Sequence, residues 1–178
     1  MSPGWRCAWL AAVVLVLAAC ASPPRAPAGP DDGPSLSGRL AIRIDGQPER
    51  SVNAGFDLAG TPRAGQLLLT GPLGAAGARA RWAPGLAVLT TGGNDSTFPD
   101  LDTLIQATLG EAVPMAALFD WLQGRPWPEA PSQTRPDGQA GFVQLGWAID
   151  LSRWADGVIE ARREQAPAVT VKARVEKH

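Results

Sequence analysis

The chain has 178 residues, 45% of them hydrophobic and 19% charged, with 20 Gly, 17 Pro, 7 Trp and no Tyr, which suits one domain of ordinary size. Its single histidine is the terminal residue, His178, where chains usually fray, so catalytic triads, histidine bases and histidine metal sites lose their usual component. The formal net charge is -1, whereas a protein that binds the phosphate backbone of nucleic acid is ordinarily basic.

The first element reads as a leader. Residues 1–19 carry Arg6, an apolar run over 8–19 and small residues at its end, the composition of a secretory signal too short to span a bilayer comfortably. It closes on Leu17, Ala18, Ala19 and Cys20. Because Cys7 leaves with the leader, an exported product carries Cys20 as an unpaired thiol unless that thiol is modified. Residues 21–34 then hold five Pro and two Gly, a stretch that builds no core and favours extended polyproline II. At about 3.1 Å per residue it reaches roughly 40 Å. The expected organisation is a signal over 1–19, a lipid-modified cysteine and tether over 20–35, and a folded domain over 36–178.

Alternation dominates the first half of that domain. Leu40, Ile42 and Ile44 point one way while Arg39, Arg43 and Asp45 point the other, and Val52, Ala54, Phe56 and Leu58 repeat the pattern, which predicts two half-buried strands. Turn residues over 45–48 and 59–62 separate them from a third run over 66–70. Ala78, Ala80 and Trp82 alternate with Arg79 and Arg81, and 86–90 completes a fifth strand after Pro84 and Gly85. The glycines of 71–74 and 92–93 read as turns, since no lysine or helix follows them as a phosphate cradle requires.

The period then changes. Leu101, Leu104, Ile105 and Leu109 share a helical face between Asp100 and Gly110, and a second helix opens at Pro114 with Met115, Leu118, Phe119 and Leu122 as its stripe, ending at Gly124. After a proline-rich stretch over 125–137, strands are expected over 142–145, 147–152, 158–163 and 169–176. About nine strands with a central helical insertion predict a strongly curved antiparallel sheet with helices on its hollow side. Asp95, Asp100 and Asp102, the weak basis for a hydrolase, lie around a turn and helix start, where capping explains them better.

The cysteine motif, Gly38-Arg39-Leu40-Ala41, the run from Leu67 through Gly71, Pro72, Leu73 and Gly74, the helix end Trp121-Leu122-Gln123-Gly124, and Gly146-Trp147 with Ile149 together resemble the LolB family of lipoprotein receptors. The likeness covers nearly the whole mature chain. It implies a mainly β fold with two or more short helices, a half-open antiparallel barrel whose helical lid covers an apolar cavity. It also implies a protein that is not an enzyme, accepting triacylated lipoproteins from the soluble periplasmic carrier LolA and inserting them into the outer membrane. A different lipid-anchored envelope carrier or pilot protein is the alternative. The charged segment 172–178 lacks the closing tryptophan of many members and leaves the pairing of the last strand open.

The resemblance also assigns residues. Cys20 would bear S-diacylglycerol and an N-acyl chain as the only attached group, with no metal or other cofactor. Ala21 behind it points to the periplasmic leaflet of the outer membrane in a Gram-negative bacterium. Pro72, Leu73 and Gly74 would form a membrane-insertion loop with Leu73 protruding. Acyl chains would touch Leu40, Ile42, Phe56, Leu67, Leu69, Trp82, Leu104, Leu118, Phe119, Trp121, Trp147 and Ile149, for each of which a dry core position is the alternative. Met115 would adapt to changing contents. Arg79 and Arg81, or Arg162 and Arg163, would face phospholipid headgroups or an acidic rim on the carrier unless they are merely a solvated strand face. The implied partners are LolA, lipoprotein acyl chains and outer-membrane phospholipid, with no nucleic acid, and the protein is expected to be a monomer.

Overall fold

The computed structural model describes residues 33–71 and 76–176. Six strands come first: β1 (Ser35–Ile44), β2 (Val52–Gly60), β3 (Gly65–Thr70), β4 (Ala76–Ala83), β5 (Leu86–Thr91) and β6 (Asn94–Phe98). Helices α1 (Leu101–Leu109) and α2 (Met115–Trp121) follow, then β7 (Ser132–Thr134), β8 (Gly141–Gln144), β9 (Trp147–Asp150), β10 (Val158–Arg163) and β11 (Val169–Val175). All are laddered antiparallel into one 11-stranded sheet of order β6-β5-β4-β3-β2-β1-β11-β10-β9-β8-β7. The sheet is not closed, and β6 and β7 are its edges.

This order has a simple cause. Short turns make each strand pair with its predecessor from β1 out to β6, and again from β7 back to β11. The helical segment is the sole crossover, carrying the chain from one edge to the other. The two meanders are then sewn together where β1 pairs with β11, Leu40 opposite Ala173 and Ile42 opposite Val171. The pairing left open by the sequence is thus central: β11 lies between β1 and β10. Alternation decides what each face carries, so Leu40, Ile42, Ile44, Phe56, Leu58, Val169 and Val171 are buried under the helices while Arg39, Arg43 and Lys172 are exposed.

Several expectations are corrected. There are two more strands than the nine expected: β6 is almost wholly exposed and polar, so its alternation carries no apolar signal, and β7 lies within the proline-rich stretch. Asp95 therefore sits on β6 rather than in a turn, and accepts a 2.6 Å hydrogen bond from the Thr90 hydroxyl. Strand β8 stops at Gln144, one residue before the expected end, because Leu145 (φ 52°) and Gly146 (φ 78°) form the two-residue turn that pairs Gln144 with Trp147. Strand β9 stops at Asp150, whose carboxylate accepts from the Ser152 N–H at 2.8 Å.

One buried polar side chain fixes the end of α2. Gln144 is only 1% exposed, and its amide is fully used. Its Oε1 accepts from the Trp121 indole at 2.8 Å and from the Trp127 N–H at 2.9 Å, while its Nε2 donates to the carbonyls of Trp127 and Ala130, both at 2.8 Å. The amide thereby joins β8, α2 and the segment after it, and leaves none of its own hydrogen-bonding capacity unmet. Gln144→Ala leaves the buried Trp121 indole and the half-buried backbone groups of Trp127 and Ala130 without partners, so it is expected to cost about 3 kcal/mol in urea unfolding, more than Val143→Ala.

Candidate functional site

Helix α1 is amphipathic because Leu101, Leu104 and Leu109 are buried while Asp102, Thr103 and Gln106 face outward. The Asp100 carboxylate caps its start, accepting from the Thr103 N–H at 2.7 Å, and Gly110 ends it at φ 75° with its N–H bonded to the Gln106 carbonyl. The hydrogen bonds from Thr103 hold the Asp100 carboxyl below its ordinary 3.8. Helix α2 begins behind Pro114, whose carbonyl accepts from the Leu118 N–H, and buries Met115, Ala117, Leu118, Phe119 and Trp121. At its end Gly124 leaves room for the Trp154 ring, which a Cβ there would approach to 2.5 Å.

Between these helices and strands β1 to β5 lies a hollow of about 130 Å³. Leu40 and Ile42 of β1, Phe56 of β2, Leu67 and Leu69 of β3, Leu104 of α1 and Leu118 of α2 line it. Those seven are among the twelve side chains that the sequence singles out. Met115 lines it too, as do Val52, Leu58, Ala78, Ala80, Leu89, Ile105, Leu109, Val113 and Leu122. Its lining side chains are otherwise apolar, apart from Thr91 and Thr108, and the Thr108 hydroxyl is spent on the Leu104 carbonyl at 2.8 Å.

The register explains the space. Ala80 stands opposite Leu67, and Ala78 opposite Leu69, so β4 offers methyl groups where its neighbour offers leucines. The signal for these alanines was present in their alternation with Arg79 and Arg81, but alternation reports side rather than fill.

The other five candidates do not line the hollow. Trp82 packs edge-on against Phe119, ring centroids 6.1 Å apart, and donates its indole N–H to the Thr61 carbonyl at 2.9 Å. Trp121 and Trp147 pack 5.9 Å apart, and Ile149 is fully buried. They form solid core. Cys20 and the segment Pro72, Leu73 and Gly74 lie outside the described residues.

One ion pair ties β10 to the link between the helices. Arg163 points to the helix side of β10, pairs with Glu111 at 2.6 Å, donates to the carbonyls of Ala112 and Pro167, and lies 5.7 Å from the Trp147 ring centroid. It anchors the link between α1 and α2 instead of facing a lipid or a carrier. Arg162 points the other way and pairs with Glu164 at 2.7 Å. Among the described residues no cluster of three or more His, Cys, Asp or Glu is placed to hold a metal ion.

Known proteins match this chain over most of its length. Residues 34–175 match the family model described as outer membrane lipoprotein LolB. A protein of Bordetella petrii named outer-membrane lipoprotein LolB is 39% identical over 184 residues, covering 97% of this chain and 87% of its own. Proteins of the same name from Bordetella pertussis and Chromobacterium violaceum are 38% and 31% identical, covering 82% and 83% of this chain and 80% and 82% of their own.

Two stability measurements test the site. Ala80→Leu adds bulk where there is room and is expected to cost less than about 1 kcal/mol, whereas Ala117→Leu, at a fully buried position away from the hollow, is expected to cost about 1–3 kcal/mol by overpacking. The Asp100 carboxyl is depressed on folding, so its contribution is present above its ordinary 3.8 and is lost as pH falls through the lower folded value. The stability gap between wild type and Asp100→Asn, read by urea unfolding at a series of pH values, should therefore narrow toward acid.

Proposed function

The chain belongs to the LolB family of outer membrane lipoproteins, and from that premise we propose that it accepts lipoproteins from the periplasmic carrier LolA and inserts them into the outer membrane by passing their acyl chains through the hollow beneath α1 and α2. The observation that carries this reading is the wall of that hollow, aliphatic over nearly its whole lining and left unfilled by Ala78 and Ala80. Exposing one acyl chain of about sixteen carbons to water costs on the order of 10 kcal/mol. A direct passage between apolar environments avoids that barrier and needs no reaction chemistry.

At about 130 Å³ the hollow is well below the roughly 300–1,000 Å³ of sites that enclose drug-sized ligands. It is close to the dry cavity of about 150 Å³ that admits a benzene ring. Acceptance of cargo therefore requires α1 and α2 to move away from the sheet. In this reading the helices act as a lid, with Gln144 holding the far end of α2 and the Arg163–Glu111 pair holding the link between the helices. Cys20, acylated, keeps the protein on the membrane, since more than one chain is needed for stable anchoring. Leu73 is the side chain that meets the bilayer during release.

Transfer of a labelled lipoprotein from the carrier to vesicle-anchored protein tests the reading. Leu73→Glu is expected to accept cargo normally and to fail at insertion, while Ala80→Leu fails earlier, at acceptance. Cargo that moves equally well through both variants would sink the proposal. Retention of some other hydrophobic client, with no uptake of lipoprotein, would favour a carrier or pilot of different specificity.

A further inference from the structure

Antiparallel register fixes which side chains share the sheet face turned away from the helices. On that face Arg39 stands directly opposite Arg174, Arg43 opposite Thr170, Arg79 opposite Leu68, and Arg81 opposite Gln66. All four of these positions and Arg174 are exposed. None of these five arginines has a carboxylate within 4.0 Å among the described residues. Lys172 adds a further cation, paired at 3.1 Å with Glu160 of β10. Strands β4, β3, β2, β1 and β11 contribute one acid to the face, Asp57, and the flanking strands add Asp95 of β6, Glu160 of β10 and Asp150 of β9.

Folding alone does not ask for this. Like charges directly opposite on neighbouring strands oppose pairing, and exposed positions accept glutamate as readily as arginine. Arg39, Arg174, Lys172, Arg153 and Asn53 moreover border a groove of about 210 Å³, large enough for a phosphate group, whose oxygens the guanidinium fork matches in pairs. The net charge of the whole chain is -1, so the excess is local to this face.

We propose that this outer face of the sheet lies on anionic phospholipid headgroups of the membrane that carries the anchor. Two of its arginines, Arg39 and Arg43, are on β1, the strand that residues 20–35 lead into, so a chain tethered at Cys20 keeps this face within roughly 40 Å of the bilayer, and the arginine charge selects it over the apolar face. A flat sheet brings both ends of β1 and of β3 to one bilayer, which an upright sheet does not, and leaves the helices and the hollow facing the periplasm. This inference rests on the anchoring of Cys20 and is independent of cargo transfer.

The test uses the full chain, acylated at Cys20, in phosphatidylcholine vesicles with and without phosphatidylglycerol, carrying a fluorophore on Gln66→Cys and headgroup-nitroxide lipid as quencher. Quenching is expected in the anionic vesicles, and it should disappear in phosphatidylcholine alone and at high salt. Arg39→Glu and Arg174→Glu, each a change of two charges, should each lower the contact equilibrium roughly thirtyfold. Arg79→Glu with Arg81→Glu gives a second reading on another strand should the first pair misfold by near-ultraviolet circular dichroism. Protein that floats with anionic vesicles yet stays unquenched overturns the proposal, as does quenching indifferent to lipid charge. Charge reversals that leave quenching intact but block uptake from the carrier also overturn it, and assign the face to an acidic protein. Failure to float at all instead contradicts the anchoring of Cys20.

Discussion

A sheet with one apolar face must have that face covered, and here the cover is the single crossover between its two edges. The chain leaves the sheet at β6 and re-enters it at β7, so α1 and α2 are drawn across the apolar side by connectivity. Leucines on both surfaces then supply the attraction. Both helices bury side chains along their length, Leu101, Leu104 and Leu109 on α1 and five of the seven residues of α2, yet the space beneath them is not completely filled. Methyl-sized side chains on β4 line the space that is left.

Polar groups set where that cover is fixed. Gln144 spends its whole amide on the end of α2 and the loop beyond it, and Arg163 reaches from β10 to the link before α2. Gln144 is buried with its whole amide satisfied, whereas Arg163, bonded through its terminal nitrogens, keeps a buried Nε with no partner among the described residues. Helix α1, in contrast, meets the sheet through leucines, isoleucine and its own capping, with no buried polar tie to a strand among the described residues. Directional bonds thus concentrate at one side of the hollow, and non-directional packing at the other.

The strand pattern was legible where one face is apolar, as in β1, β2, β4 and β11, because period-two burial writes itself into the sequence. It was not legible in β6, where Asn94, Asp95, Ser96 and Thr97 are all exposed, or in β7, a three-residue edge of Ser, Gln and Thr. Edge strands owe their existence to the neighbour they ladder with, which local sequence does not report. The same limit explains the candidate site. Periodicity separated inward from outward residues, yet Leu40 and Ile149 look alike by that measure, one beside empty space and the other in solid core. Cross-strand neighbours help to decide between them: Leu40 stands between Ala54 and Ala173, and Ile149 between Ala161 and Phe142.

The seam between β1 and β11 has a mechanical meaning. The strand that receives the N-terminal segment is not an edge but the middle of the sheet, hydrogen-bonded along its length to β2 on one side and β11 on the other. A pull delivered at Ser35 along the strand loads both ladders in shear, and many bonds must yield together. Had the same segment entered at β6 or β7, tension would peel one bond at a time. Force arriving through the N-terminal segment thereby meets the sheet at its toughest point.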